Sequence, residues 1–389
     1  MTLPPHLARI VEAEYPRFSD AEMLRRRAAI EALMAQAGCD HLVFCGANRF
    51  GSAVQWLTQW PVTAEAVGVL TPGQCDSLFV QHVNHAPQAR ILADKADVTW
   101  GGESSIAEAI KVLQQRRARH DRVATIGPIS AEQYQALSAK YGKPKSLNRG
   151  YIRLRQVKSA EELDWLRIGA HFSDLGMAAL RDGLKSGLNE RELADLVERA
   201  YVSHGATNVI HYIGVTAMKA PDLGVPRQFP RMRRVQPGDV VVAEISASFW
   251  EHPGQVLRSF ALGEPNKLYL ELHRAADAAF DAIAAVLKAG AIPSQVVEAS
   301  GVIEDAGFTI IDDLLHGYGG GYLPPILGCE SRPAGPVPQE PFRAGQTVVI
   351  QPNVVTRDGT AGVQTGEMVL ITASGIERLH SLLRGFQII

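Results

Sequence analysis

Apolar residues in the first 150 positions come in short runs separated by turn residues: 41–46 (HLVFCG), 66–71 (AVGVLT), 77–81 (SLFVQ) and 122–127 (RVATIG). Runs of this length between turn-forming residues read as buried strands. Two helical patterns interrupt them. Ser19-Asp20-Ala21-Glu22 is a capping box, followed by apolar Met23, Ala28, Ile30, Leu33 and Met34 and closed by Gly38. The second helical pattern covers residues 105–117. Strands alternating with helices predict an α/β domain with a largely covered sheet.

The texture changes near residue 153. Ser159-Ala160-Glu161-Glu162 is another capping box, leading a long amphipathic helix through Leu163, Leu166, Ile168, Ala170 and Leu175. Asn189-Glu190-Arg191-Glu192 starts a further helix, expected to end at Gly205. Helical patterns recur at 268–289 and 294–306, interleaved with strand runs at 240–245, 309–314, 346–351 and 368–372. The spacing predicts two domains, residues 1–153 and 154–389. The Pro/Gly-rich stretch 317–341 is expected to be a structured loop over a site, because periodic strands resume soon after it.

Composition narrows the function classes. A chain of 389 residues with 46% hydrophobic and 21% charged positions can bury a substantial core. Its net charge of −2 gives no electrostatic reason for a nucleic-acid or membrane partner. No apolar run is long enough to span a bilayer, and the opening MTLPPHLARIVEAEYPRF lacks the build of a secretory signal. Cys39, Cys45, Cys75 and Cys329 form no C-x-x-C pair, so free thiols in a reducing compartment, the cytoplasm, are expected.

Several segments then line up in order: RLRQVKSAEELDWL at 153–166, Val235-Gln236-Pro237-Gly238-Asp239 with its following strand, His316-Gly317-Tyr318-Gly319, Ala344-Gly345-Gln346 with Thr347 to Ile350, and Gly362-Val363 with Val369-Leu370-Ile371-Thr372. Trp56-Leu57-Thr58 adds a phrase from the first domain. Together they resemble the pita-bread superfamily of creatinase, prolidase, aminopeptidase P and methionine aminopeptidase. The resemblance implies an α/β N-terminal domain of the creatinase/prolidase type and an α+β pita-bread C-terminal domain. It also implies a homodimer, with Asn48, Arg49 and Phe50 placed where a first domain can reach a neighbouring subunit's site.

Peptide-hydrolysing members of that superfamily hold two metal ions between Asp, Asp, His, Glu and Glu. The anionic oxygens offset about four positive charges, and the bridging water becomes the nucleophile. On this sequence those positions fall on Glu244, Gln255, His316, Gln351 and Gly366, with Glu367 one place along and, by strand alternation, on the other face. Two amides and a glycine replace three acids. No metal and no cofactor are therefore expected, although a single ion on His316, Glu244 and an added ligand such as His211 or His252 stays open.

Creatinase cleaves a carbon–nitrogen bond without metal, using a histidine. That position falls on Arg227, and an arginine with a pKa above about 12 is no general base at neutral pH. The expected chemistry is a metal-independent hydrolase (or lyase) acting on a small, anionic molecule. His316 would be the acid/base, Glu244 would orient it or act beside it, and Arg227, Gln255, Arg258, Gln351 and His211 would bind substrate. The alternatives are a metallopeptidase of the Xaa-Pro aminopeptidase/prolidase type with an altered metal site, and a non-catalytic binding member of the superfamily.

Overall fold

Local capping accounts for where the principal helices begin. In the computed structural model, which describes residues 2–48 and 53–389, the side chains of Ser19, Ser159 and Asn189 accept backbone N–H bonds from the residue three places on. They start the helices Asp20–Gln36, Ala160–Gly183 and Glu190–Arg199. The last of these stops at Arg199, with a 3₁₀ turn at Val202–His204 before Gly205.

Residues 12–155 form one compact unit; residues 156–389, with the N-terminal segment through Val11, form the other. The first eleven residues, expected in the first domain, thus group with the second. There His6 lies 3.8 Å from Asp164. Among the described residues no helix is long and apolar enough to cross a membrane, and all four cysteines are unpaired.

In the first unit the strands are β1 (His41–Ala47), β2 (Glu65–Leu70), β3 (Asp76–Val80), β4 (Ala96–Trp100), β5 (Val123–Ile126) and β6 (Lys145–Ser146), ordered β4-β3-β2-β1-β5-β6. β1 runs antiparallel to β2 and parallel to β5. Val43, Val67 and Val69 pack with Ile106 and Leu113 of the helix Ser105–Gln115 and Leu137 of the helix Ala131–Tyr141. The unit is α/β.

The second unit contributes β7 (Thr207–Ala217), β8 (Asp239–Phe249), β9 (His252–Ala261), β10 (Thr309–Ile310), β11 (Leu315–Tyr318), β12 (Tyr322–Leu327), β13 (Thr347–Ile350), β14 (Asn353–Val355), β15 (Gly362–Gln364), β16 (Gly366–Ile371), β17 (Ile376–Arg378) and β18 (Gln387–Ile388). The main sheet runs β12-β11-β13-β16-β9-β8-β7, and β10-β14-β15 form a small second sheet. Alternate residues of β13 divide between two cores. Val348 and Ile350 pack with Leu272, Phe280 and Ile283 of the helix Lys267–Val286, whereas Val349 packs with Leu166 and Ala170 of Ala160–Gly183. The main sheet is therefore covered on both faces, which is why its strands read as continuous apolar runs rather than alternating ones.

Two expectations about this unit are corrected. The run 309–314 is not one strand: the Asn353 side-chain oxygen accepts from the N–H groups of Ile311 and Asp312, ending β10 after Ile310. The stretch 317–341 is not only loop, because it contains β12, the edge strand paired antiparallel with β11.

Helix Ala160–Gly183 approaches β9 at backbone distance. A Cβ on Gly169 would lie 2.1 Å from the His252 carbonyl oxygen, and one on Gly254 would lie 2.3 Å from Ala170 backbone atoms. Gly169→Ala is expected to destabilise the second unit by about 1–3 kcal/mol through overpacking, outweighing the ~1 kcal/mol helix-propensity gain. A urea midpoint at or above wild type would refute this close-approach argument.

Candidate active site

Strand register decides which side chains meet. Tyr212 sits opposite Glu244, Ser246 opposite Gln255, and Glu244 opposite Leu257, so all of these share one face of β7, β8 and β9. His316 sits opposite Val349 on β13, and Gly366 opposite Leu257 on β16. Glu244, Gln255, His316 and Gln351 are brought together and are almost fully buried.

Their side chains bond directly to one another. Gln255 Nε2 donates to Glu244 Oε1 at 2.7 Å and to Gln351 Oε1 at 3.2 Å. Gln351 Oε1 also lies 3.2 Å from His316 Nε2, and Gln351 Nε2 donates to Asp313 Oδ1 at 2.5 Å. Gln364 Nε2, on β15, donates to the second oxygen of Glu244 at 3.2 Å. Tyr322 stacks on His316 with ring centroids 3.8 Å apart, and its hydroxyl donates to Asp313 Oδ2. His316 Nδ1 is 3.1 Å from the Gly317 carbonyl oxygen.

Burial and charge set the protonation of this cluster. Burial, and after it the negative charge of Asp312, pushes the Glu244 carboxyl up to about 8 despite the two amide N–H bonds it accepts. Asp313 is raised to about 7, first by burial and then by Asp312, against its bonds from Tyr322 and Gln351. Burial lowers His316 to about 4. At neutral pH the cluster therefore holds a neutral imidazole and a mostly protonated Glu244.

The other expected residues lie elsewhere. Arg258 does not reach the cluster: alternation turns it to the opposite face of β9, where Nη2 meets Glu367 Oε2 at 2.7 Å and the guanidinium also donates to the carbonyls of Leu257, Gly366, Leu382 and Leu383. His211 likewise shares its face with Ile245, away from Glu244. It lies 2.5 Å from the Tyr201 hydroxyl and 3.1 Å from Oε1 of the half-exposed Glu198, partners outside the cluster. Arg227 is partly exposed, 3.9 Å from Asp222. His252 Nδ1 bonds the Trp250 carbonyl oxygen, so neither His211 nor His252 is placed as an added ligand. Asn48 is exposed; Arg49 and Phe50 lie outside the described residues. Asp312, Asp313, Tyr322, Tyr212 and Gln364 join the site without having been singled out from the sequence.

A dinuclear metal centre does not fit these donors. Both Glu244 oxygens accept amide N–H bonds, and the His316 Nε2 that a metal would take faces Gln351. The fifth position is closed as well as vacant of donors: a Cβ on Gly366 would lie 2.4 Å from the Ile350 carbonyl oxygen and 2.8 Å from Gln351 Cα. Glu367, next along, is held on the far face by Arg258 and Arg378. Among the described residues no group of three or more His, Cys, Asp or Glu side chains is disposed to hold a metal ion.

Residues 164–373 match the family model of metallopeptidase family M24. An uncharacterized peptidase of Staphylococcus aureus is 23% identical over 236 residues, and the Xaa-Pro dipeptidase of Pyrococcus furiosus is 24% identical over 230. Each match covers 58% of this chain and 63% of the relative, so the chain spans less than two thirds of the length of these curated relatives. Among solved structures, the X-Pro aminopeptidase of Thermotoga maritima superposes with a TM-score of 0.80 at 18% identity, covering 94% of this chain and 99% of its own. The prolidase of Pyrococcus horikoshii gives 0.78 at 18% identity, covering 93% and 99%. The two-part architecture, an α/β first domain and a pita-bread second domain, is therefore that of these structures.

Proposed function

The chain belongs to metallopeptidase family M24, and we propose that it is a hydrolase of a carbon–nitrogen bond in a small molecule, working without the family's metal pair. The observation that supports this reading is the direct hydrogen bonding among Glu244, Gln255, Gln351 and His316 at positions where the family places metal ligands. In this proposal Glu244, not His316, moves the proton. A histidine held near 4 stays neutral at physiological pH, whereas a carboxyl near 8 carries a proton it can donate and retrieve. Gln255 and Gln364 orient Glu244, and Gln351 orients His316. A cytoplasmic homodimer remains part of the proposal on the resemblance alone.

Metal analysis of protein purified without chelator, paired with hydrolysis assays with and without EDTA, tests this. Substoichiometric manganese, zinc and iron, and hydrolysis that survives EDTA, are expected. Glu244→Gln should lower turnover by about 10²–10⁴-fold. Stoichiometric metal with EDTA-sensitive cleavage of Xaa-Pro dipeptides would replace this reading with the second one, a metallopeptidase with an altered site. The likeness to the Pyrococcus furiosus Xaa-Pro dipeptidase favours that second reading.

A further inference from the structure

A cavity of about 350 Å³ lies within the first unit and shares no residue with the candidate active site. Its volume falls in the range of small-ligand pockets, roughly 300–1,000 Å³. The helix Asp20–Gln36 supplies Asp20, Met23, Leu24 and Arg27, a spacing that puts all four on one helical face. Leu57, of the helix Ala53–Thr58, adds a second apolar wall, and Asp76, at the start of β3, a polar one. Leu24 is 66% exposed, so the apolar part of this face is left uncovered.

The hydrogen bonding of Asp76 is incomplete. The residue is only 6% exposed, and its Oδ2 accepts from Arg27 Nη1 at 2.8 Å. Oδ1 is buried with no partner among the described residues. Burial pushes the carboxyl above its ordinary 3.8, against the charge and the hydrogen bond of Arg27. A buried acceptor without a donor calls for a ligand or water that supplies N–H or O–H groups. The cations around the cavity are already matched: Arg27 also meets Glu31 Oε1 at 2.9 Å, and Lys95 lies 3.6 Å from Asp20. Asp94 pairs with Arg17 at 2.8 Å. The cavity therefore lacks a donor, not an acceptor.

We infer that this cavity binds a small primary amine with an apolar body, its ammonium group donating to the Asp76 carboxylate and its body lying against Met23, Leu24 and Leu57. An ammonium supplies both the N–H group and the positive charge that a buried carboxylate served by one arginine lacks. An anion would instead meet Asp20, Asp76 and Asp94. The site lies outside the hydrolytic cluster and stands whether or not the proposed hydrolysis does.

Calorimetric titration of the full chain at neutral pH with benzylamine, benzyl alcohol and benzoate, three probes built on one ring, tests this. Benzylamine should bind saturably, benzyl alcohol about tenfold more weakly and benzoate not at all. Loss of the charge-assisted bond in Asp76→Asn should weaken benzylamine about tenfold. Met23→Trp, which fills the cavity and leaves Asp76 in place, should abolish binding, with circular dichroism confirming that each variant folds. Glu244→Gln should leave binding unchanged. Absence of saturable benzylamine binding, which would mean a cavity filled by water, overturns the inference. So does binding that Asp76→Asn or Met23→Trp leaves unchanged, or that Glu244→Gln weakens instead. Benzoate or benzyl alcohol bound as tightly as benzylamine overturns the amine assignment.

Discussion

Replacing Arg258 by Met should cost about 3–5 kcal/mol of stability in the second unit, the largest loss expected from any single side chain discussed above. The guanidinium is about 1% exposed and donates to four backbone carbonyls as well as to Glu367. Removing it leaves those carbonyls and a buried carboxylate short of donors. Arg378 still pairs with Glu367, which limits the loss rather than abolishing it. Two of the carbonyls belong to Leu382 and Leu383, in the segment whose neighbouring N–H groups, those of Ser381 and Leu382, bond Asp174. The C-terminal segment should therefore loosen as well. Lys in place of Arg should not rescue, because an ammonium cannot serve five acceptors in a fixed planar fork. Urea unfolding followed by tryptophan fluorescence checks the magnitude. A variant of unchanged stability but weakened ligand binding would return Arg258 to the substrate role it was first assigned.

That misassignment shows which part of the site was legible. Positions along one strand follow from alternation, so Glu367 was correctly expected to leave the site face. The same rule, applied to Gln255 and Arg258 three residues apart, places them on opposite faces. It also places His211 with Ile245 rather than Glu244, once the β7–β8 register is known. Register is a long-range property, and motif spacing does not carry it.

Asp312 and Asp313 were hidden for a related reason. Residues 309–314 have a strand's composition, and only the side chain of Asn353, about forty positions away, breaks the strand and leaves Asp313 beside Gln351. Tyr322 was concealed in a Gly/Pro-rich stretch that looked like loop but holds an edge strand. The helices, by contrast, were legible to within a residue or two at their starts. Ser19, Ser159 and Asn189 act on N–H groups three residues away, an interaction that needs no tertiary context.

Glu244 should make the stability of the second unit fall as pH rises, and Glu244→Gln should remove most of that dependence. The folded carboxyl titrates near 8 against an ordinary value of 4.5, so between those values the folded chain keeps a proton that the unfolded chain has released. Unfolding then releases a proton, and stability declines with increasing pH by up to about 1.4 kcal/mol per unit. The contribution is fully present below about 4.5 and lost as pH passes 8. Asp313, raised to about 7, acts in the same direction. His316, lowered to about 4, acts oppositely, as do His171 and His211, also lowered by burial, and their effect fades above the ordinary 6.5; the Glu244 share is therefore read as the difference in slope between wild type and variant. Gln is tolerated at 244 because Gln364 can turn its unpartnered Oε1 toward the new amide N–H₂. Measured by urea denaturation at pH 6.5, 7.25 and 8, wild type should lose roughly 1–3 kcal/mol across the interval, and the variant distinctly less. Parallel curves would mean that Glu244 is ionised in the folded protein, leaving the cluster with an uncompensated negative charge. Such a charge is what a bound metal ion would neutralise, so that result would favour the metallopeptidase reading over the acid/base one.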